Sequence, residues 1–135
     1  MKTKAILSIA ELKRMANAAE AEALRNDWKV SISIVDDGGH ALWFQRLDGA
    51  SPMTSHIAPA KARAAAIGRR ETKVFEDIIN NGRTAFLSAP TMDGMLEGGV
   101  PVMLDGQCIG AVGVSGVKSD QDAQIAKAAI AALGL

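Results

Sequence analysis

The chain has 135 residues and a mass of 14.1 kDa, and its 48% apolar content is enough to fill one core, so a single domain spanning 1–135 is expected. Fifteen basic residues balance fifteen acidic ones, which excludes the basic excess of a nucleic-acid binder and leaves little self-repulsion between copies. Aromatics make up only 4%, with no Tyr, against 24 Ala and 13 Gly, a composition suited to elements that approach one another closely.

Ser8 and Glu11 have the spacing of a capping box, with Leu7 and Leu12 placed as a hydrophobic staple. Ile9, Leu12, Ala16, Ala19 and Ala23 then recur by three and four, which predicts an amphipathic helix over 9–26. At Val30, Ile32 and Ile34 the period changes to two, with Ser31 and Ser33 between, and a strand is predicted. The run Asp36 to Gly39 is a hairpin signal, and Ala41 to Leu47 supplies the returning strand.

An Ala-rich helix is predicted over 54–68, with Pro59 either in its first turn or kinking it. Val74, Phe75, Ile78 and Ile79 mark a third short helix, and Asn81-Gly82 a left-handed stop. Pro90 and Gly94 make residues 83–96 a loop, and a loop this long in a small domain is more often functional than idle. Val100 to Leu104, the turn Asp105-Gly106 and Cys108 to Ser115 predict a second hairpin, and a last helix opens at Ser119 and runs through Leu133 to Gly134. Two tight hairpins with helices between and around them give an α+β domain, with a four- or five-stranded antiparallel sheet covered by helices and the hairpins paired side by side.

Cys108 has no partner for a disulfide, no secretory leader is evident, and no apolar run approaches the roughly 18 to 20 residues of a membrane span. A reduced, cytoplasmic setting without a membrane partner is expected. His40, His56 and Cys108 lack the spacing of a metal site. Gly110, Gly113 and Gly116 lead toward a helix as a phosphate loop would, but Asp120 and Asp122 place negative charge at that helix start.

Arg46 and Asp48 stand two apart on an extended strand end, so they face one site together or form an ion pair that holds the loop. Lys61 lies on a helix that the surrounding Ala residues mark as largely buried, whereas Arg63, Arg69 and Arg70 read as a solvated face. His56 is one of two groups that titrate near neutrality, suited to act as general base or haem ligand or to make an ordinary helix-start hydrogen bond. Glu97, followed by Gly98, Gly99, Val100 and Pro101, joins a carboxylate to a backbone that a ligand can approach closely; a bulged strand entry reads equally well. Cys108 is most simply a core residue, and Met53, Met92 and Met95 sit in the least regular segments, where they would line an apolar pocket.

The order of these segments is itself informative. Ser-Ile-Val-Asp-Asp-Gly-Gly-His, Arg-Leu-Asp-Gly-Ala, Lys-Ala-Arg-Ala-Ala, Gly-Gly-Val-Pro-Val, Ile-Gly-Ala-Val-Gly-Val-Ser-Gly and Gln-Asp-Ala, in that order over roughly 8–133, resemble the GlcG/HbpS family. Arg46, Asp48, Gly49, Ala50, Lys61, Gly98, Gly99, Pro101, Ser115 and Asp122 match the family pattern, while Ala64 stands where the family often has Thr. The resemblance implies a profilin-like fold with a five-stranded sheet, homo-oligomers from dimer to octamer, binding of haem or another small planar ligand, and a link to a catabolic pathway. Arg46, Asp48, Gly98, Gly99, Pro101 and Ser115 are then ligand-binding candidates. The alternative is a lyase or isomerase acting on a carboxylate or aromatic metabolite, with His56, Lys61 and Glu97 as its catalytic candidates.

Overall fold

In the computed structural model, which describes residues 1–135, four antiparallel strands run in the order β2-β1-β4-β3. They are β1 (Ser31–Val35), β2 (Ala41–Arg46), β3 (Gly99–Leu104) and β4 (Gln107–Ser115). The hairpins β1-β2 and β3-β4 join through β1 and β4, where Ser31 pairs with Ser115 and Val35 with Ala111. The domain is α+β, as expected, but the sheet has four strands and not the five that the resemblance implied. Neither residues 1–8, ahead of the first helix, nor residues 83–98, just before β3, add a strand. In the second of these Pro90 offers no N–H, and Thr91 and Gly94 take φ of 60° and 73°, outside the extended backbone of a ladder.

Helix α1 (Ile9–Arg25) starts as its sequence specifies: the Ser8 hydroxyl accepts from the Glu11 N–H, and the Glu11 carboxylate accepts from the Ser8 N–H at 2.8 Å. Its inner face is Leu12, Met15, Ala16, Ala19 and Ala23; Ile9, expected on that face, is exposed. The last helix, α4 (Ser119–Ala131), lies beside α1, and the two cover one face of the sheet. Met15, Ile32, Ile34, Val102, Val112, Val114 and Ile125 fill the space between, each fully buried and each contributing about 1.5 to 3 kcal/mol of transfer free energy.

The opposite face of the sheet is built from small residues, and helix α2 (Thr54–Gly68) rests on it. A β-carbon built on Gly113 would lie 2.2 Å from the Ala58 carbonyl oxygen, and one on Gly99 would lie 2.4 Å from that of Lys61. The helix backbone therefore touches the sheet backbone, which accounts for the Ala run of α2 and for Gly99 and Gly113 beneath it. Ser31 and Ser33 are buried under this helix, and the Ser31 and Thr54 hydroxyls are 2.8 Å apart. All five residues of β1 are buried, so its alternating pattern reflects two kinds of covering helix and not one solvated face. Pro59 is the sixth residue of α2, beyond the first turn, and the helix continues past it to Gly68.

A third helix, α3 (Thr72–Asn80), and a 3₁₀ turn (Thr84–Ser88) stand outside these layers. Gly82, at φ 112°, supplies the left-handed stop. No helix is long and apolar enough to cross a membrane.

Candidate functional site

The largest concavity lies along the irregular segment after the 3₁₀ turn. It is a groove of about 720 Å³ lined by Arg63 of α2 and by Leu87, Ala89, Thr91, Met92, Asp93, Gly94, Met95 and Leu96. Two contacts, at Gly94 and Thr72, hold its outer wall in place, and an exposed ion pair spans its rim. Gly94 sits so tightly on α2 that a β-carbon there would be 2.5 Å from the Ala60 carbonyl carbon. Arg63 Nη2 donates to Asp93 Oδ1 at 2.6 Å. Thr72, fully buried at the start of α3, donates its hydroxyl proton to the Leu96 carbonyl and accepts from the Gly99 N–H at 2.8 Å. The arm before the groove is closed by Phe75 stacked on Phe86, with ring centroids 5.7 Å apart.

Residues 83–96, expected to be a functional loop, are thus largely one wall of a groove, and Met92 and Met95 line it as anticipated; Met53 does not. Arg63 was read from sequence as part of a solvated face, but it stands at the rim. Asp93 was not singled out at all. Nothing local marks this pair, because its partners are thirty residues apart in the chain.

Lys61, Glu97, Gly98 and Gly99 do come together, at a different place. Lys61 is 3% exposed and donates to the Val114 carbonyl at 2.9 Å and to Asp122 Oδ2 at 3.0 Å. Asp122 Oδ1 accepts from the Val117 N–H at 3.1 Å. Gly98 leaves room for this knot, since a β-carbon there would be 2.7 Å from Lys61 Nζ. Burial pushes the Asp122 carboxyl above its ordinary range, the Lys61 ammonium opposes that, and the charge of the half-buried Glu97 adds to the upward push. Asp122, read from sequence as negative charge at a helix start and as a match to the family pattern, was not recognised there as the partner of Lys61, although a lysine on a buried helix must find a carboxylate somewhere.

Arg46 and Asp48 share a second cavity, of about 380 Å³, with Glu20, Asp27, Trp28 and Lys29 among its other walls. They do not form the ion pair considered from sequence. Arg46 instead holds the loop by donating Nε–H to the Ala50 carbonyl at 2.9 Å. Ser115 is buried opposite Ser31, and Pro101 lies on the edge strand β3, where its missing N–H breaks no ladder. His56 is exposed on α2. None of the four cavities is lined by His56, Lys61 or Glu97.

Residues 7–131 match the family model described as haem degrading protein HbpS-like. The chain belongs to the HbpS-like family. It is 56% identical to protein GlcG of Escherichia coli K12 over 115 residues, 85% of either chain. Among solved structures, its fold is similar to a PduOC:haem complex, with a TM-score of 0.88 and 30% identity over 95% of both chains. It is similar also to a double mutant of Streptomyces reticuli HbpS, with a TM-score of 0.89 and 29% identity over 100% of this chain and 92% of that one.

Proposed function

We propose that this protein binds haem, or a closely related planar ring, in the groove between α2 and residues 87–96. The observation that carries the reading is the groove itself, because it offers what such a ring needs. Its volume falls within the roughly 300 to 1,000 Å³ of small-molecule sites, and five of its nine lining residues are apolar. Met92 would present a thioether to the iron, Leu87, Met95 and Leu96 would cover the ring, and Arg63 would meet an acidic substituent. Haem, when bound, supplies a redox-active iron and a visible chromophore. The haem complex of the PduOC neighbour supports haem as the ligand.

The acid–base alternative has less behind it. Lys61 keeps its ammonium inside the fold, His56 is in solvent, and no cavity gathers these two with Glu97. For Arg46 and Asp48 their shared cavity supports a role in binding a small polar ligand.

The proposal extends to a cytoplasmic homo-oligomer, with the pathway link coming from the family resemblance. The exposed Leu42 and Phe44 on the edge strand β2 and the net charge of zero favour self-association, and the unpaired, buried Cys108 suits a reducing compartment. Titration with haem tests the main reading: a saturable Soret band at micromolar haem is expected, moved by Met92→Ala and not by His56→Ala. Absence of a saturable band removes the proposal. Sedimentation of the protein beside Phe44→Glu tests the assembly, which the charge is expected to weaken.

A further inference from the structure

The groove contains one cationic side chain, Arg63, and one anionic side chain, Asp93, and they are bonded to each other at its rim. We infer that Arg63 is the carboxylate receptor of the groove and that Asp93 is a built-in competitor for it, so the site selects planar ligands that carry acidic side chains. This rests on the reading of the groove as a ring-binding site.

Three features support the assignment. The stem of Arg63 is braced by the first hairpin, where a β-carbon on Gly39 would fall 2.8 Å from Arg63 Cγ, so the head is aimed and not free to sweep. Only Nη2 of the guanidinium is engaged by the protein, and the other donors of the fork remain open to a second carboxylate. The Arg63 and Asp93 side chains are 37% and 69% exposed, so their pair is screened and of low strength, which an incoming anion can displace. The hydrogen bond from Arg63 holds the Asp93 carboxyl below its ordinary range, so Asp93 stays ionised and repels an acidic ligand until it is moved aside.

A purely structural ion pair predicts the opposite sign. If the pair only fastened the wall, Asp93→Asn would loosen the groove and weaken every ligand. As a competitor, its loss strengthens binding of acids alone.

The test compares haem with haem dimethyl ester, in which both carboxylates are masked, by Soret titration of the full chain. Metal-free protoporphyrin followed by fluorescence serves as a readout that does not depend on iron. The wild type is expected to prefer the diacid. Asp93→Asn is expected to tighten haem about three- to fivefold, as for release from one exposed ion pair, and to leave the ester unchanged. Arg63→Gln is expected to erase the preference and Arg63→Lys to keep part of it, with thermal melting of each variant checking that it is folded. Equal affinity of the wild type for diacid and ester overturns the inference alone, as does weakening of both by Asp93→Asn. Failure of the wild type to bind any of the three rings overturns the groove reading and this inference with it.

Discussion

Lys61 Nζ lies 3.0 Å from Asp122 Oδ2, both side chains almost closed to water, and this bond ties α2 on one face of the sheet to α4 on the other. Removing one partner leaves an uncompensated charge in the interior. Lys61→Met is expected to cost about 3 to 5 kcal/mol in urea unfolding at pH 7, and adding Asp122→Asn is expected to recover part of that loss. The pH sign follows from Asp122, whose carboxyl is raised by burial against the pull of Lys61. Such a group favours the folded state fully below its ordinary value of 3.8, and the contribution is lost as pH rises through the folded value. Without Lys61 that loss grows, so the defect of Lys61→Met is expected to shrink on acidification from pH 7 toward pH 4. A defect that is independent of pH would contradict this account.

Asp36 behaves in the opposite sense. Burial raises its carboxyl, but the His40 and Gly38 N–H groups, both 2.9 Å from Oδ1, and the His40 ring outweigh that and bring it below its ordinary value. Its stabilisation is therefore present above 3.8 and lost as pH falls through the lower folded value. The bonds are partly solvated, so Asp36→Ala is expected to cost about 0.5 to 1 kcal/mol at pH 7. Chemical unfolding should find the difference from wild type fading below about pH 4.

Gly113→Ala places a methyl group 2.2 Å from the Ala58 carbonyl oxygen and 2.4 Å from the Ala62 nitrogen. Backbone is on both sides of the contact, so no side chain can turn away. A loss of about 3 kcal/mol or more is expected, at the upper end of overpacking effects, read as a lowered melting temperature. Alanine at Gly106, which meets nothing within 4 Å and pays only for its φ of 75°, is expected to cost about 1 to 2 kcal/mol.

Thr72→Val keeps the shape of the side chain but strands the Gly99 N–H and the Leu96 carbonyl. A loss of about 1 to 3 kcal/mol is expected, together with faster proteolysis between 83 and 98 and faster release of bound haem. Unchanged proteolysis would mean that Thr72 does not anchor the wall.

What the sequence made legible was local. The Ser8/Glu11 box, the Asp36–Gly39 and Asp105-Gly106 turns, and the Ala run of α2 place those elements to within a residue or so, because each signal lies inside the element that it builds. The absence of a fifth strand was not legible from the resemblance; within 83–98 the positive φ of Thr91 and Gly94, which the sequence does not announce, works against one. The burial of Lys61 was visible in its Ala surroundings, but its partner lies sixty-one residues away. For the same reason Arg63 reads as solvated until Asp93 is brought opposite it.

The backbone contact between α2 and the glycines of β3 and β4 has a dynamic consequence. A helix seated on bare peptide groups has no side-chain cushion, so it can neither slide nor roll to admit a guest. Any adjustment on ligand arrival must fall on residues 83–96. Deuterium uptake should therefore slow in that segment when haem is added, while the amides of α2 exchange at an unaltered rate.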